Sequence, residues 1–289
     1  MSRKAPIGIF DSGLGGLTVA KQIMKRLPYE RIAYLGDQIH VPYGERSVDE
    51  IRSFALGITE FLIRQNAKLV IMACNMSSAI ALEEARELFP QIPILGVIEA
   101  GARSAVSMAQ RGPIGVLATT GTVSTRAYTK MLQRLLPNIE VIEQPCPKFV
   151  PLVEAGKFDS PEAEMAVIEY TEPLLSAGCR TVILGCTHYP FLTDTIRRVV
   201  GPDVTIVDPA EETAAEAEQI LSQSGITTVP GENPEHTYYT TGSPERFAEA
   251  GSRFLGCTVE NISKVSWESD LGAIAWQEKM AERTTKSAL

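Results

Sequence analysis

A chain of 289 residues with 44% hydrophobic and 21% charged residues is long enough for one large or two ordinary cores, and too apolar for disorder. Its net charge of -8, with no dense Lys/Arg stripe, argues against nucleic acid as a partner. No apolar run approaches the roughly 18 residues of a membrane span, and Met1-Ser2-Arg3-Lys4-Ala5-Pro6 carries no secretory-type apolar stretch, so a cytoplasmic protein with no membrane partner is expected.

Short apolar runs alternate with longer amphipathic stretches along the chain, the pattern of βα units around parallel sheets. Strands are predicted over Ile7-Phe10, Ile32-Leu35, Leu69-Ala73, Ile94-Val97, Ile114-Ala118, Ile139-Ile142, Thr181-Gly185, Thr205-Val207 and Thr237-Thr241. Ser47 with Glu50 forms a capping box, after which Ile51, Phe54, Ala55, Ile58 and Phe61 share one helical face. Ser160-Pro161, Asp208-Pro209 and Ser243-Pro244 each set a capping side chain before a proline at the first helical position.

The chain also echoes itself. Ile7-Gly8-Ile9-Phe10 returns as Ile114-Gly115-Val116-Leu117, and Val70-Ile71-Met72-Ala73-Cys74-Asn75 as Val182-Ile183-Leu184-Gly185-Cys186-Thr187. Ile94-Leu95-Gly96-Val97 has a looser echo in Thr205-Ile206-Val207-Asp208. Three echoes in one order point to two pseudo-symmetric, doubly wound α/β halves with a ligand between them.

Two of the five cysteines, Cys74 and Cys186, occupy matching places at the carboxyl ends of buried strands, where open α/β sheets bind ligands. Asn75 and Thr187 follow as residues able to cap a helix, and a helix N-terminus favours thiolate, lowering a pKa that starts at about 8.5. Each thiol is then expected to serve as a base near neutral pH. Free cysteines also act as small buried hydrophobes, the reading expected for Cys146, Cys179 and Cys257. A zinc site of Cys74, Cys186 and His188 is a further alternative, with only His40 and His236 as other histidines.

Asp11-Ser12-Gly13-Leu14-Gly15-Gly16-Leu17-Thr18 follows the first strand. Thr18 stands where a dinucleotide fingerprint needs its third glycine, and Asp11 would repel a pyrophosphate. The loop reads better as one that aims a carboxylate and a hydroxyl into a cleft, although a solvated turn has the same composition. Pro42-Tyr43-Gly44 in the loop after the second strand rigidifies it and exposes N–H groups able to receive a carboxylate; a packing turn is equally compatible.

Phe10-Asp11-Ser12-Gly13 with Gly15-Gly16-Leu17-Thr18-Val19, Pro42-Tyr43-Gly44-x-Arg46-Ser47, Ala73-Cys74-Asn75 and Leu184-Gly185-Cys186-Thr187-His188-Tyr189-Pro190 together resemble the glutamate racemases of the aspartate/glutamate racemase family. The resemblance runs from about Ile7 to Thr241. It implies two α/β domains facing across a cleft, the first discontinuous (1–98 plus 209–289) and the second spanning 99–208. It also implies no pyridoxal phosphate or other cofactor, no metal, and a cytoplasmic homodimer that supplies D-glutamate for peptidoglycan and thereby cell shape.

By the same resemblance Cys74 would deprotonate D-glutamate and Cys186 L-glutamate. Asp11 would assist Cys74, while Glu154 and His188 would assist Cys186. Asp11, Ser12, Pro42, Tyr43, Gly44, Asn75, Met76, Thr187 and His188 would hold the substrate. Met76 departs from the family's usual Thr, a loss on the order of 0.5–1.5 kcal/mol if nothing replaces the hydroxyl, unless Ser77 or Ser78 compensates. Gln38 and Ala100 stand where Thr and Pro are commoner. These departures bear on specificity, so racemisation of another amino acid such as aspartate is the nearer rival, and a non-catalytic amino-acid-binding protein the more distant one.

Overall fold

The computed structural model describes residues 2–109, 112–231, 234–268 and 273–275. Trp276, in a tail for which the sequence offers no functional reading, lies outside them. The first half runs β1 (Ile7–Asp11), α1 (Leu17–Arg26), β2 (Ile32–Gly36), a 3-10 turn (Tyr43–Glu45), α2 (Val48–Arg64), β3 (Leu69–Met72), α3 (Asn75–Leu88), β4 (Ile94–Gly96) and α4 (Val97–Met108). The second runs β5 (Ile114–Ala118), α5 (Thr120–Thr125), α6 (Ala127–Leu135), β6 (Val141–Pro145), α7 (Phe149–Glu154), α8 (Pro161–Ser176), β7 (Thr181–Gly185), a 3-10 turn (Tyr189–Leu192), α9 (Thr193–Val200) and β8 (Thr205–Val207). The chain then continues through α10 (Pro209–Gln223), β9 (Thr237–Thr240), α11 (Pro244–Leu255) and three short strands, β10 (Ile262–Lys264), β11 (Ser266–Glu268) and β12 (Ala273–Ala275).

The internal echo is architectural. One sheet contains the order β2-β1-β3-β4 and the other is β6-β5-β7-β8, so each half places equivalent strands at equivalent positions. The pairings in both are parallel, with Ile7 between Ile32 and Leu69 in one and Ile114 between Val141 and Thr181 in the other. Their inner strands are buried throughout, which explains why they read as continuous apolar runs rather than alternating ones. β9 and β10 return to the first sheet beyond β2, extending it to six strands.

Local capping delivers the helices where the sequence places them. Ser47 and Glu50 form the reciprocal box at the start of α2, and Ser160, Asp208 and Ser243 each accept a backbone N–H at the starts of α8, α10 and α11. The sixth strand is displaced from 139–142 to 141–145. It lies at a sheet edge, where a carboxylate and a proline are tolerated: Glu143 accepts from the Thr129 N–H and hydroxyl, and Pro145 ends the ladder. No helix among the described residues is long and apolar enough to cross a membrane.

At the amino ends of the strands, away from the thiols, the buried Lys68 ammonium sits 2.6 Å from Glu30. It also donates to the carbonyls of Arg3 and Ile226 and to the Thr228 hydroxyl, and Glu30 accepts from Thr228 N–H and Oγ1. This clasp ties the N-terminal arm and the segment after α10 to the first sheet. Removing one partner leaves an uncompensated buried charge, so Glu30→Gln should lower unfolding free energy in urea by about 3–5 kcal/mol; a loss below about 1 kcal/mol would show that the clasp is not an anchor.

Candidate active site

β1, β3, β5 and β7 point their carboxyl ends at one cavity of about 60 Å³. Cys74 and Cys186, one from each half, are both in its wall, with Asp11 and Ser12 at the end of β1 and Pro42, Tyr43 and Gly44 in the loop after β2. Asn75, Met76, Thr187 and His188 complete the sequence-predicted set at the wall. Glu154 stands one layer back, its carboxylate on the His188 ring. A larger hollow of about 590 Å³ lies at the opposite ends of the strands, around Lys4, Arg31 and Gln65; no cysteine lines it.

The halves meet closely here. A Cβ on Gly15 would overlap the Thr187 hydroxyl and come 2.6 Å from His188 Nδ1, so only glycine lets this turn pass against the second half. The turn is therefore filled by protein rather than open to a pyrophosphate, which removes the dinucleotide alternative. Thr18 Oγ1 donates to the Gly15 and Thr187 carbonyls, and Thr187 Oγ1 donates to Asp11.

The two thiols have different surroundings. Cys74 is itself the N-cap of α3, and Asn75 is the first helical residue rather than a cap; its Oδ1 accepts from Tyr128 across the domain boundary. Hydrogen bonds from Ser77 and Ser12 favour the thiolate, but burial opposes it more strongly and the Asp11 carboxylate adds repulsion, so the Cys74 pKa is pushed up to about 12. The expectation of a neutral-pH thiolate is thus corrected for Cys74: desolvation outweighs the helix terminus, and the resting group is a thiol.

Thr187 likewise caps no helix. The chain passes Cys186 through an irregular segment into the 3-10 turn containing Pro190, and α9 begins only at Thr193. What faces Cys186 instead is His188, its Nδ1 3.9 Å from Sγ and its Nε2 2.6 Å from Glu154 Oε1. Burial works against the imidazolium, yet the hydrogen bonds to Cys186 and Glu154 outweigh it and raise the His188 pKa to about 10. Glu154, half-exposed, is held below the usual carboxylate range chiefly by that same hydrogen bond. Asp11 is pushed up by burial, with His188 and the Gly13 N–H pulling the other way.

Thr119, Thr122, Val41 and Val150 also line the cavity and were not singled out by sequence. The internal echo carried a signal for one of them, because Ala118-Thr119 ends β5 as Asp11-Ser12 ends β1. Ser77 and Ser78 do not stand in for a hydroxyl at position 76. Ser77 turns into the protein beside Cys74 and the Ser78 hydroxyl accepts from Ile98 N–H; the threonine hydroxyls of the other half are at the wall instead. Gln38 accepts from Thr240 and Ala100 is buried in α4, and neither reaches the cavity. Cys146 and Cys179 are buried as expected, whereas Cys257 is exposed. Among the described residues no three His, Cys, Asp or Glu side chains converge to hold a metal ion, so Cys74, Cys186 and His188 do not form the zinc cluster.

The family model described as Asp/Glu/Hydantoin racemase matches residues 18–217. The chain belongs to this racemase family. It is similar to a glutamate racemase of Desulforudis audaxviator, 45% identical over 91% of this chain and 98% of that one. Among solved structures it is similar to a glutamate racemase isoform of Bacillus anthracis, with a TM-score of 0.87 and 39% identity over 94% of this chain and 99% of that chain. It is also similar to the Francisella tularensis glutamate racemase in complex with D-glutamate, with a TM-score of 0.85 and 36% identity over 91% and 98% of the two chains. In a racemase of this family a pair of thiols at matching strand ends has an immediate chemical use.

The raised pKa of His188 makes its charged form a stabilising element. That contribution is fully present below the unfolded value near 6.5 and is lost as pH rises through about 10. The difference in urea stability between the parent and His188→Gln should therefore shrink steadily between pH 6.5 and 10.5. A difference that stays constant over that range would contradict the buried imidazolium.

Proposed function

We propose that the chain interconverts L- and D-glutamate by moving the α-proton between Cys186 and Cys74. The observation that carries this reading is that both thiols, from equivalent strand ends of the two halves, border one small cavity. The likeness to glutamate racemases over more than nine-tenths of the chain supports glutamate as the substrate.

For L-glutamate, the Cys186 thiolate takes the Cα proton, and the C–H electron pair passes into Cα and the adjoining carboxylate. The Cys74 S–H then delivers its proton to the opposite face, leaving Cys186 as thiol and Cys74 as thiolate. D-glutamate runs the steps in reverse. The resting charges suit the first direction: His188 places a cation beside Cys186, Glu154 orients it, and burial keeps Cys74 protonated. Asp11 beside Cys74 and the substrate ammonium are of opposite sign, so ammonium binding relieves the repulsion between carboxylate and thiolate. Backbone N–H groups of Tyr43, Gly44, Asn75 and Met76 receive the carboxylates, with Ser12, Pro42, Thr187 and His188 completing the contacts. General acid–base transfer supplies about 10²–10⁴ of the acceleration, and exclusion of water from a cavity this small supplies electrostatic preorganisation.

The same reading divides the chain into 1–98 plus 209–289 and 99–208, and makes it a cytoplasmic homodimer that feeds D-glutamate into peptidoglycan. With L-Glu, D-Glu, L-Asp and D-Asp in turn in D₂O, the parent should racemise glutamate and leave aspartate largely unexchanged. Cys74→Ser should lose racemisation by a factor on the order of 10²–10⁴ while still exchanging the α-hydrogen of L-glutamate through Cys186, and Cys186→Ser should show the mirror result with D-glutamate. Exchange of aspartate but not glutamate overturns the substrate; parent-like racemisation by either variant overturns the two-thiol scheme.

A further inference from the structure

Asp37, directly after β2, is a fully buried carboxylate that the proton-transfer scheme does not use. Four side chains converge on it. Oδ2 accepts from the Tyr43 hydroxyl at 2.7 Å and meets His40 Nδ1 at 2.8 Å, while Oδ1 accepts from Thr241 Oγ1 at 2.9 Å and Trp267 Nε1 at 3.0 Å. Its own N–H donates to the Asp11 carbonyl. The rings around it pack together: His40 stacks on Phe54 with centroids 4.0 Å apart, and Trp267 and Tyr43 lie 5.4 and 5.6 Å from the same Phe54 ring.

These donors come from three separate stretches of chain: the loop holding Tyr43, the segment after β9, and β11, which pairs antiparallel with β12. A buried carboxylate is stable only when its lone pairs are satisfied, and a charged acceptor strengthens each hydrogen bond made to it. Asp37 therefore joins three segments that are far apart in sequence, and one of them, Pro42-Tyr43-Gly44, is cavity wall. Losing one donor leaves the charge under-satisfied and loosens the others.

We propose that Trp267, through its indole N–H on Asp37, is a positioning residue for the Pro42-Tyr43-Gly44 wall, so that strand β11 sets how tightly the enzyme holds its substrate. This rests on the glutamate reading above, in which that wall receives a carboxylate. Trp267 touches no reacting atom. Its influence is on binding common to ground and transition states, which appears in KM and not in kcat.

The test is steady-state kinetics of full-length Trp267→Phe, which keeps the ring and removes the donor, with Thr241→Val as a second variant removing the other donor to the same oxygen. Both should raise KM for L- and D-glutamate about three- to tenfold, the net effect of one ordinary hydrogen bond, with kcat within about twofold of the parent. Combined with Tyr43→Phe, Trp267→Phe should cost less than the product of the single effects, because both donors act through Asp37. A thermal midpoint that falls while KM stays at the parent value, or single effects that simply multiply, overturns the positioning role. A parent that turns over no glutamate overturns the substrate reading instead, and is recognised before any variant is compared.

Discussion

A base that takes a proton from one face of a tetrahedral carbon cannot return it to the other face without moving through the molecule. Inversion at one carbon therefore demands two proton-transfer groups on opposite sides of a single site, each held rigidly. The duplicated sheet answers that demand. Because β3 and β7 occupy the same place in the orders β2-β1-β3-β4 and β6-β5-β7-β8, the cysteine at the carboxyl end of each strand is delivered to an equivalent position in two halves that face each other. Gly15 lets the two halves touch, and α10 packs on α1 and α4 of the first half and reaches β7 of the second.

Duplication supplies the symmetry of position, and sequence divergence breaks the symmetry of charge. Burial and Asp11 keep Cys74 protonated, and a Glu154-supported imidazolium stands beside Cys186. Cys74 is thus set to give a proton, and Cys186 has beside it a cation that would stabilise a thiolate. Two protonated thiols would have no acceptor ready, and two thiolates no donor.

Much of this was legible because it is written locally. The strand runs of both halves, the Ser47/Glu50 box and the Ser-Pro and Asp-Pro starts depend on neighbours in sequence, and they form where the residues place them. The cavity residues could be named because the motifs around Asp11, Tyr43, Cys74 and Cys186 resemble those of the glutamate racemases, and each lies at or near a strand end. What the residues did not disclose is tertiary. The raised pKa of Cys74 comes from desolvation by burial and from the Asp11 carboxylate, and β6 is displaced because Glu143 finds its donors on α6. Asp37 looked like an ordinary loop acid because two of its four donors, Thr241 and Trp267, lie more than two hundred residues away in the chain. Short edge strands such as β10 and β11 carry too little apolar pattern to stand out.

The central claim is that proton removal and proton delivery are carried out by different thiols on opposite faces. The most direct test is the first few per cent of L-glutamate conversion in D₂O, with product and recovered substrate analysed separately by mass spectrometry. Two bases predict D-glutamate that is fully deuterated at Cα while the recovered L-glutamate remains protiated. α-Protium carried over into the product, or deuterium entering substrate and product at equal rates, would mean that one group serves both faces and would contradict the account.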